Sequence, residues 1–352
     1  MVEFLRETTP QEGGMAMTGW KGLILAAVLA GGMLLPGPAA TAADATTLET
    51  VRERGYVLCG TGGSAKRSNV RLRTGMDLDY CRALAAAVTG EAERHQAVHL
   101  SASQRFKALR DGSVDVLLRA TTWTLTRDAT LGVDFVGVLF HDGQGFLARR
   151  SHGGRRLADF DGGAVCVEEG TTTAERVKAM LAERDLDIKV KVFRTADPAI
   201  EGFFNGRCSL ITRDRGDLVR ILEEQAPDPK AYLVLEQTIS KEPLSVVVRE
   251  GDAEWADIAA WVRHALVNAE ELGITAANAG RLAREGTYPQ RLLLGTEGDL
   301  GAALGLDAGW ARRAIEAVGN YGEIYDSNMG DLERGQNALG RDGGLMFAPP
   351  LR

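Results

Sequence analysis

The residues Arg119-Ala120-Thr121-Thr122-Trp123-Thr124-Leu125-Thr126-Arg127-Asp128 follow directly on the apolar run Val114-Asp115-Val116-Leu117-Leu118. A buried strand that ends in hydroxyls and a guanidinium has the chemistry of an anion site. Ligands of open α/β sheets collect outside the carboxyl ends of the strands, and an arginine fork matches the two oxygens of a carboxylate. The competing reading is a solvated loop after a strand, since Thr and Arg are mostly exposed in folded proteins. A second such pattern lies further on: the strand Ala164-Val165-Cys166-Val167, the loop Glu168-Glu169-Gly170, and a helix opened by Thr171-Thr172-Thr173 with Glu175 in its first turn. Free backbone N–H groups at that helix start, with hydroxyls beside them, suit an anion. N-capping by Thr171 or Thr172 accounts for the same residues.

Elements of one kind position both groups. Phe106 to Val116 and Ile200 to Leu210 share the arrangement helix, glycine stop, strand, and the strands run on into Thr121 and Thr122 in one case and Thr212-Arg213-Asp214 in the other. Two α/β units delivering polar groups at strand ends could face one another across a cleft, although helix-Gly-strand units are common in α/β proteins. Elsewhere, Thr46-Thr47-Leu48-Glu49 is a capping box for a helix that stops before Gly55, and the strand Tyr56-Val57-Leu58-Cys59 follows. Leu78, Cys81, Leu84, Ala85 and Val88 recur at helical spacing, and Val190 and Val192 alternate with lysines as in a half-buried strand. Leu244 to Val248 reads as another strand, followed by a long helix from Glu254 to Glu271 and helices around 308 to 325. The alternation of strands with helices predicts α/β architecture with largely parallel sheets.

Other chemistries fare poorly. Gly60-Thr61-Gly62-Gly63-Ser64-Ala65 fits a dinucleotide fingerprint after a strand, with Asp79 at a suitable distance. However, Lys66-Arg67-Ser68-Asn69 opens no apolar helix, and Asp79 falls at a helix start. None of the five histidines sits in a nucleophile motif, and no G-x-S-x-G occurs. His95 and His99 would suit a metal only on a helix, whereas Val98-His99-Leu100 looks like a strand. Neither metal nor cofactor is expected, and no catalytic machinery is visible. The net charge of −7 and the lack of a basic run argue against a nucleic-acid partner.

Lys21 precedes the apolar run Gly22 to Ala30, and Ala39-Ala40-Thr41-Ala42-Ala43 follows Pro36 and Pro38. This is the pattern of a secretory signal peptide over residues 1–43, cleaved near Ala42, with translation starting at Met15 or Met17 because Glu3, Glu7 and Glu12 suit no n-region. About 310 residues remain, enough for two cores. Export makes disulfides possible. Four cysteines allow three connectivities, and the pairs Cys59 with Cys81 and Cys166 with Cys208 keep each bridge within one unit. Each would close a loop of about 20 to 40 residues, worth roughly 3 to 4 kcal/mol by the chain-entropy estimate. Four buried thiols are the alternative.

Taken with the signal segment, the strings Gly75-Met76-Asp77-Leu78-Asp79-Tyr80, Thr122 to Arg127, Gly170-Thr171-Thr172-Thr173 and Asp214 resemble the family 3 solute-binding proteins of ABC transporters. The resemblance is closest to the periplasmic general L-amino-acid-binding proteins. It extends through Asp142 to Phe146, Ser240 to Leu244, Leu294 to Asp299, Val318 to Glu323 and Gly343 to Pro350, essentially the whole mature chain. It implies the two-lobed type II periplasmic fold, with mixed, mostly parallel sheets and two crossover strands as hinge. Lobe one would take residues 44–142 and 244–352, with a helical C-terminal extension, and lobe two residues 143–243.

The function implied is that of a monomeric periplasmic receptor, not an enzyme, that closes on a free L-amino acid and delivers it to an inner-membrane ABC permease. Thr122 and Arg127 would serve the α-carboxylate, Thr172 a hydrogen bond from lobe two, and Asp214 the α-ammonium, with Thr121 also counted among the ligand-binding residues. An exported enzyme resembling cyclohexadienyl dehydratase, or a degenerate receptor that binds partners instead of a free amino acid, are the alternatives. The chain departs from the pattern in its short loop Thr61 to Thr74, where Lys66, Arg67, Arg71 and Arg73 replace an apolar wall. Met76 also stands where an aromatic is usual, and Ala120 where a polar residue is. The basic loop suggests a preference for Asp or Glu, against the alternative of a solvated charged loop.

Overall fold

The computed structural model describes residues 45–62, 75–330 and 332–352. The signal segment, and the loop carrying Lys66, Arg67, Arg71 and Arg73, lie outside those residues. Among the described residues ten strands form two five-stranded sheets. They are β1 (Val57–Thr61), β2 (His95–His99), β3 (Val116–Thr122), β4 (Val133–Asp142), β5 (Gln144–Arg149), β6 (Ala164–Glu168), β7 (Lys189–Phe193), β8 (Leu210–Asp214), β9 (Tyr232–Val234) and β10 (Glu242–Arg249). The orders are β2-β1-β3-β10-β4 and β7-β6-β8-β5-β9.

The two sheets are built alike. In the first, β1 pairs parallel with β2 and β3, while β10 runs antiparallel to both β3 and β4. In the second, β6 pairs parallel with β7 and β8, and β5 runs antiparallel to β8 and β9. Each sheet is therefore mixed, half its pairings parallel. The antiparallel half exists because a strand arriving from the other sheet, β10 or β5, is inserted beside the parallel trio. The echo noted in the sequence corresponds to this repeat, with β3 and β8 at the same place in their sheets.

Helices over the parallel pairings follow the local signals. Thr46 caps Thr47–Arg54 with a full capping box, and Gly55 ends it in the left-handed conformation. The helix Met76–Thr89 buries Tyr80, Cys81, Leu84 and Ala85 against the first sheet, with Trp255, Ile258 and Val262 of the helix Ala253–Glu271 in the same core. Alternation along β5 sends Phe146 to one face of the second sheet and Leu147 to the other, so that sheet has a core on each side. Disulfides join Cys59 to Cys81 and Cys166 to Cys208, each tying a strand to a neighbouring element. The C-terminal residues are fastened by Arg263 and Asn268, which donate to the carbonyls of Phe347 and Pro349.

One sequence reading changes in detail, and another holds. Val192, read as half-buried, is 47% exposed, because β7 is the outermost strand of its sheet. His95 and His99 both lie on β2 and are engaged separately, His95 with the Ala92 carbonyl and His99 with the Gly62 carbonyl.

The chain passes between sheets twice: from β4 to β5 through Gly143 alone, and back over Ile239 to Glu242 into β10. The crossovers run side by side, with Ile239 N–H donating to the Gln144 carbonyl at 2.9 Å. A Cβ on Gly143 would stand 2.2 Å from the Thr238 methyl and 2.9 Å from the Ser240 carbonyl oxygen, so this position requires glycine.

Candidate functional site

A cavity of about 660 Å³ lies between the carboxyl ends of the two parallel trios. The first sheet contributes the end of β3, the start of the helix Leu125–Thr130 and Arg105. The second contributes the end of β6, the start of the helix Thr172–Glu183 and the end of β8.

At the end of β3 the backbone leaves regular geometry. Ala120 has φ +36°, a left-handed conformation that a residue with a Cβ rarely adopts, and its N–H donates to the Asp77 carboxylate at 3.3 Å. Burial raises the Asp77 pKa to about 7, against the opposing pull of the Ala120 N–H and Arg119. Beyond this kink Thr124 caps the helix Leu125–Thr130, and Arg127 donates to the Thr122 carbonyl at 3.0 Å. The Arg127 guanidinium has no ion pair among the described residues and lies 5.5 Å from the Phe106 ring centre. Burial depresses its pKa, and Glu242, Glu175 and Asp214 pull the other way.

Asp214 ends β8 and precedes the helix Arg215–Gln225. Its carboxylate caps nothing and has no hydrogen-bond or ion-pair partner among the described residues. Burial, with Asp142 and Glu242 adding repulsion, drives its pKa well above the ordinary carboxylate range. Asp142, at the crossover, accepts from the N–H groups of Gly143 (2.7 Å) and Gly216 (2.9 Å), and burial pushes its pKa up to about 6.

Two further carboxylates bridge the sheets. Glu242, 3% exposed, accepts from Thr122 Oγ1 at 2.6 Å and from Thr172 Oγ1 at 3.4 Å, and Ser240 donates to its other oxygen. Glu168, also 3% exposed, accepts from Arg119 at 2.7 Å and from the Ala102 N–H at 3.3 Å on the first-sheet side. On its own side Arg213 donates to it at 3.3 Å. Arg213 is shared with Asp217, which also holds Arg220.

Of the residues singled out from the sequence, Thr122, Arg127, Thr172 and Asp214 all line the cavity. Thr121 does not: its side chain points to the opposite face of β3, fully buried, and donates to the Arg119 carbonyl. Strand alternation explains the split between Thr121 and Thr122. Thr171 acts as the N-cap, accepting from the Ala174 N–H, which leaves Thr172 in the first turn facing the cleft. Met76 also lines the cavity. The sequence reading gave no role to Arg105, Glu168 or Glu242. The only signal for the acids was position, at the end of a strand and at the start of the return crossover.

No family model matches the chain. It is 38% identical over 344 residues to the general L-amino acid-binding periplasmic protein AapJ of Rhizobium johnstonii, covering 94% of this chain and 100% of that protein. It is 40% identical over 333 residues to the glutamate/glutamine/aspartate/asparagine-binding protein BztA of Rhodobacter capsulatus, covering 92% of this chain and 98% of that one. Among solved structures it is similar to an ABC transporter periplasmic binding protein from Brucella ovis with glutathione bound. The TM-score there is 0.83 at 37% identity, over 88% of this chain and 100% of the other.

Proposed function

From the premise that the chain belongs to the family of periplasmic amino-acid-binding proteins of ABC transporters, we propose that it binds a free L-amino acid between its two sheets and delivers it to an inner-membrane permease. The observation that carries this reading is a pair of opposite charges left open in one cavity: Arg127 on the first sheet, Asp214 on the second. A zwitterion leaving water needs both charges paired, and a site holding one guanidinium and one carboxylate on opposite walls meets that need only when closed. Arg127 takes the α-carboxylate and Asp214 the α-ammonium. Charge-assisted bonds of about 1.5 to 3 kcal/mol each, less the costs of association, suit a micromolar receptor.

Thr122 and Thr172 hold Glu242 in this arrangement, so their part is shared between the ligand and the hinge. The periplasmic location of this chain rests on the same kinship, with residues 1–43 as its export signal. No turnover is proposed, because the raised acids Asp142 and Asp214 are accounted for by burial beside an ammonium site. The Brucella ovis protein's glutathione and the roomy cavity support a longer γ-glutamyl ligand as a second reading.

A thermal-shift screen of the twenty amino acids and glutathione, followed by calorimetry on the hits, tests both readings. Stabilisation by at least one of them, growing with concentration, is expected. A flat response across the panel would instead favour a module that binds partners, and turnover of prephenate would reveal an enzyme.

A further inference from the structure

Arg105 is only 2% exposed, lines the cavity, and opens the short helix Arg105–Arg110. Its Nε has no hydrogen-bond partner, and among the described residues its guanidinium makes no hydrogen bond or ion pair. It lies over the Phe106 ring, 4.9 Å from its centre, which Arg127 also approaches. A buried guanidinium left this way is costly, and Arg127 and Arg119 nearby add to the cost. Glu168 and Asp214 offset it in part, but among the described residues neither is hydrogen-bonded or ion-paired to it. Glu168 is taken by Arg119, Arg213 and the Ala102 N–H.

The other cleft acids that are not exposed are supplied too. Asp77 and Asp142 accept from backbone N–H groups, and Glu242 accepts from hydroxyls. Among the described cleft residues that are not exposed, the groups still open are two cations, Arg105 and Arg127, and one anion, Asp214. A neutral zwitterion satisfies Arg127 and Asp214 and leaves Arg105 unpaired. A ligand with two carboxylates and one ammonium satisfies all three.

We propose that Arg105 is a second anion-binding residue of this cleft and that the preferred ligand carries a distal carboxylate, which Arg105 receives while Arg127 holds the α-carboxylate. This rests on the amino-acid receptor reading above. The distal carboxylate has two sources, the side chain of a dicarboxylic amino acid or the C-terminus of a γ-glutamyl peptide.

Calorimetry of the full mature chain with glutamate, glutamine, glutathione and glutathione C-terminal amide separates these sources. Wild type should favour one carboxylate-bearing ligand over its amide by about tenfold or more. Arg105→Gln should erase that preference while holding the amide's affinity within about threefold, and Arg105→Lys, which keeps the charge without the fork, should retain part of it. Dependence on Arg105 for glutamate alone assigns the side-chain source, and for glutathione alone the peptide source.

Equal losses for acid and amide, or no acid preference in wild type, overturn the proposal. The unliganded melting temperature is a second readout. Removing an uncompensated buried charge should leave Tm of Arg105→Gln equal to or above wild type, and a clear fall would make Arg105 structural and refute its role. If none of these ligands nor any of the twenty amino acids binds wild type, the receptor reading fails first and takes this inference with it.

Discussion

The cleft has two halves that handle charge in opposite ways. Around Glu168 the charges are closed within the chain: Arg119, Arg213, Asp217 and Arg220 form a continuous ion-pair run that reaches from the first sheet to the second. Around Phe106 and Asp214 they are left open, with Arg105 and Arg127 on one wall and an uncapped carboxylate on the other. Each half has a buried guanidinium, Arg119 in one and Arg105 in the other, with partly buried charges around it, and both use the same residue types. The difference teaches that burial of charge does not by itself mark a ligand site. The compensated half joins the two sheets, and on the reading proposed above the uncompensated half is where free energy of folding is given up for binding.

The largest effect that could break this contrast comes from Arg127. Arg127→Ala should cost about 3 to 5 kcal/mol of binding, since it strands the ligand's carboxylate in a closed cleft. Its effect on the unliganded Tm should be small, because among the described residues the guanidinium's one hydrogen bond is to the Thr122 carbonyl. Near-native affinity by calorimetry would remove Arg127 from the open half. Asp214→Asn comes next, with a loss of roughly 1.5 to 3 kcal/mol. The unliganded protein should melt no lower than wild type, because the substitution relieves a carboxylate crowded by Asp142 and Glu242. A destabilised but fully binding Asp214→Asn would move Asp214 into the compensated half.

The open half was more legible in the sequence than the closed one. Arg127, Thr122, Thr172 and Asp214 stand at strand ends and helix starts, where local pattern and family resemblance agree, and the repeated helix-Gly-strand unit left it open that they could face each other. Thr121 went astray because adjacent residues on a strand point to opposite faces, and the pattern of hydroxyls alone did not say which was which. Glu168 and Glu242 were quoted within motifs but given no role, since a glutamate becomes a bridge only when a partner from the other sheet arrives. Glu168 is joined to Arg119 and to the Ala102 N–H only by folding across many intervening residues. The mixed character of the sheets came from the family resemblance and not from the periodicity, which suggested largely parallel sheets. Whether a strand joins parallel or antiparallel depends on β5 and β10 crossing between lobes, which hydrophobic periodicity does not report.

The compensated half offers the next test. Glu168→Gln keeps a similar shape but removes the charge that Arg119 and Arg213 share. A loss of roughly 1 to 3 kcal/mol of stability is expected, limited because Arg213 still has Asp217. This is the opposite of the Arg105→Gln result, and comparing the two by unliganded melting is the sharpest contrast between the halves. Equal Tm shifts of the same sign in both variants would erase it.

The smallest effect is a pH dependence, and its sign follows from Asp214. The ligand ammonium needs the ionised carboxylate, whereas in the unliganded cleft burial, then Asp142 and Glu242, hold that pKa well above the ordinary range. Ligand binding draws it back down, so the liganded state holds fewer protons than the unliganded one. Affinity must then fall as pH drops through the raised value and level off above it, by at most about 1.4 kcal/mol per pH unit for one proton. Asp142, raised to about 6, titrates beside it, and its protonation removes one of the repulsions acting on Asp214. The observed step therefore belongs to the pair and should be shallower than a single-site slope. Calorimetry over about pH 5 to 8, in buffers of different ionisation enthalpy, should register proton release on binding in wild type and its loss in Asp214→Asn. A wild-type affinity flat over that range would mean that Asp214 is already fully ionised in the empty cleft, and that the open half is less costly than its geometry implies.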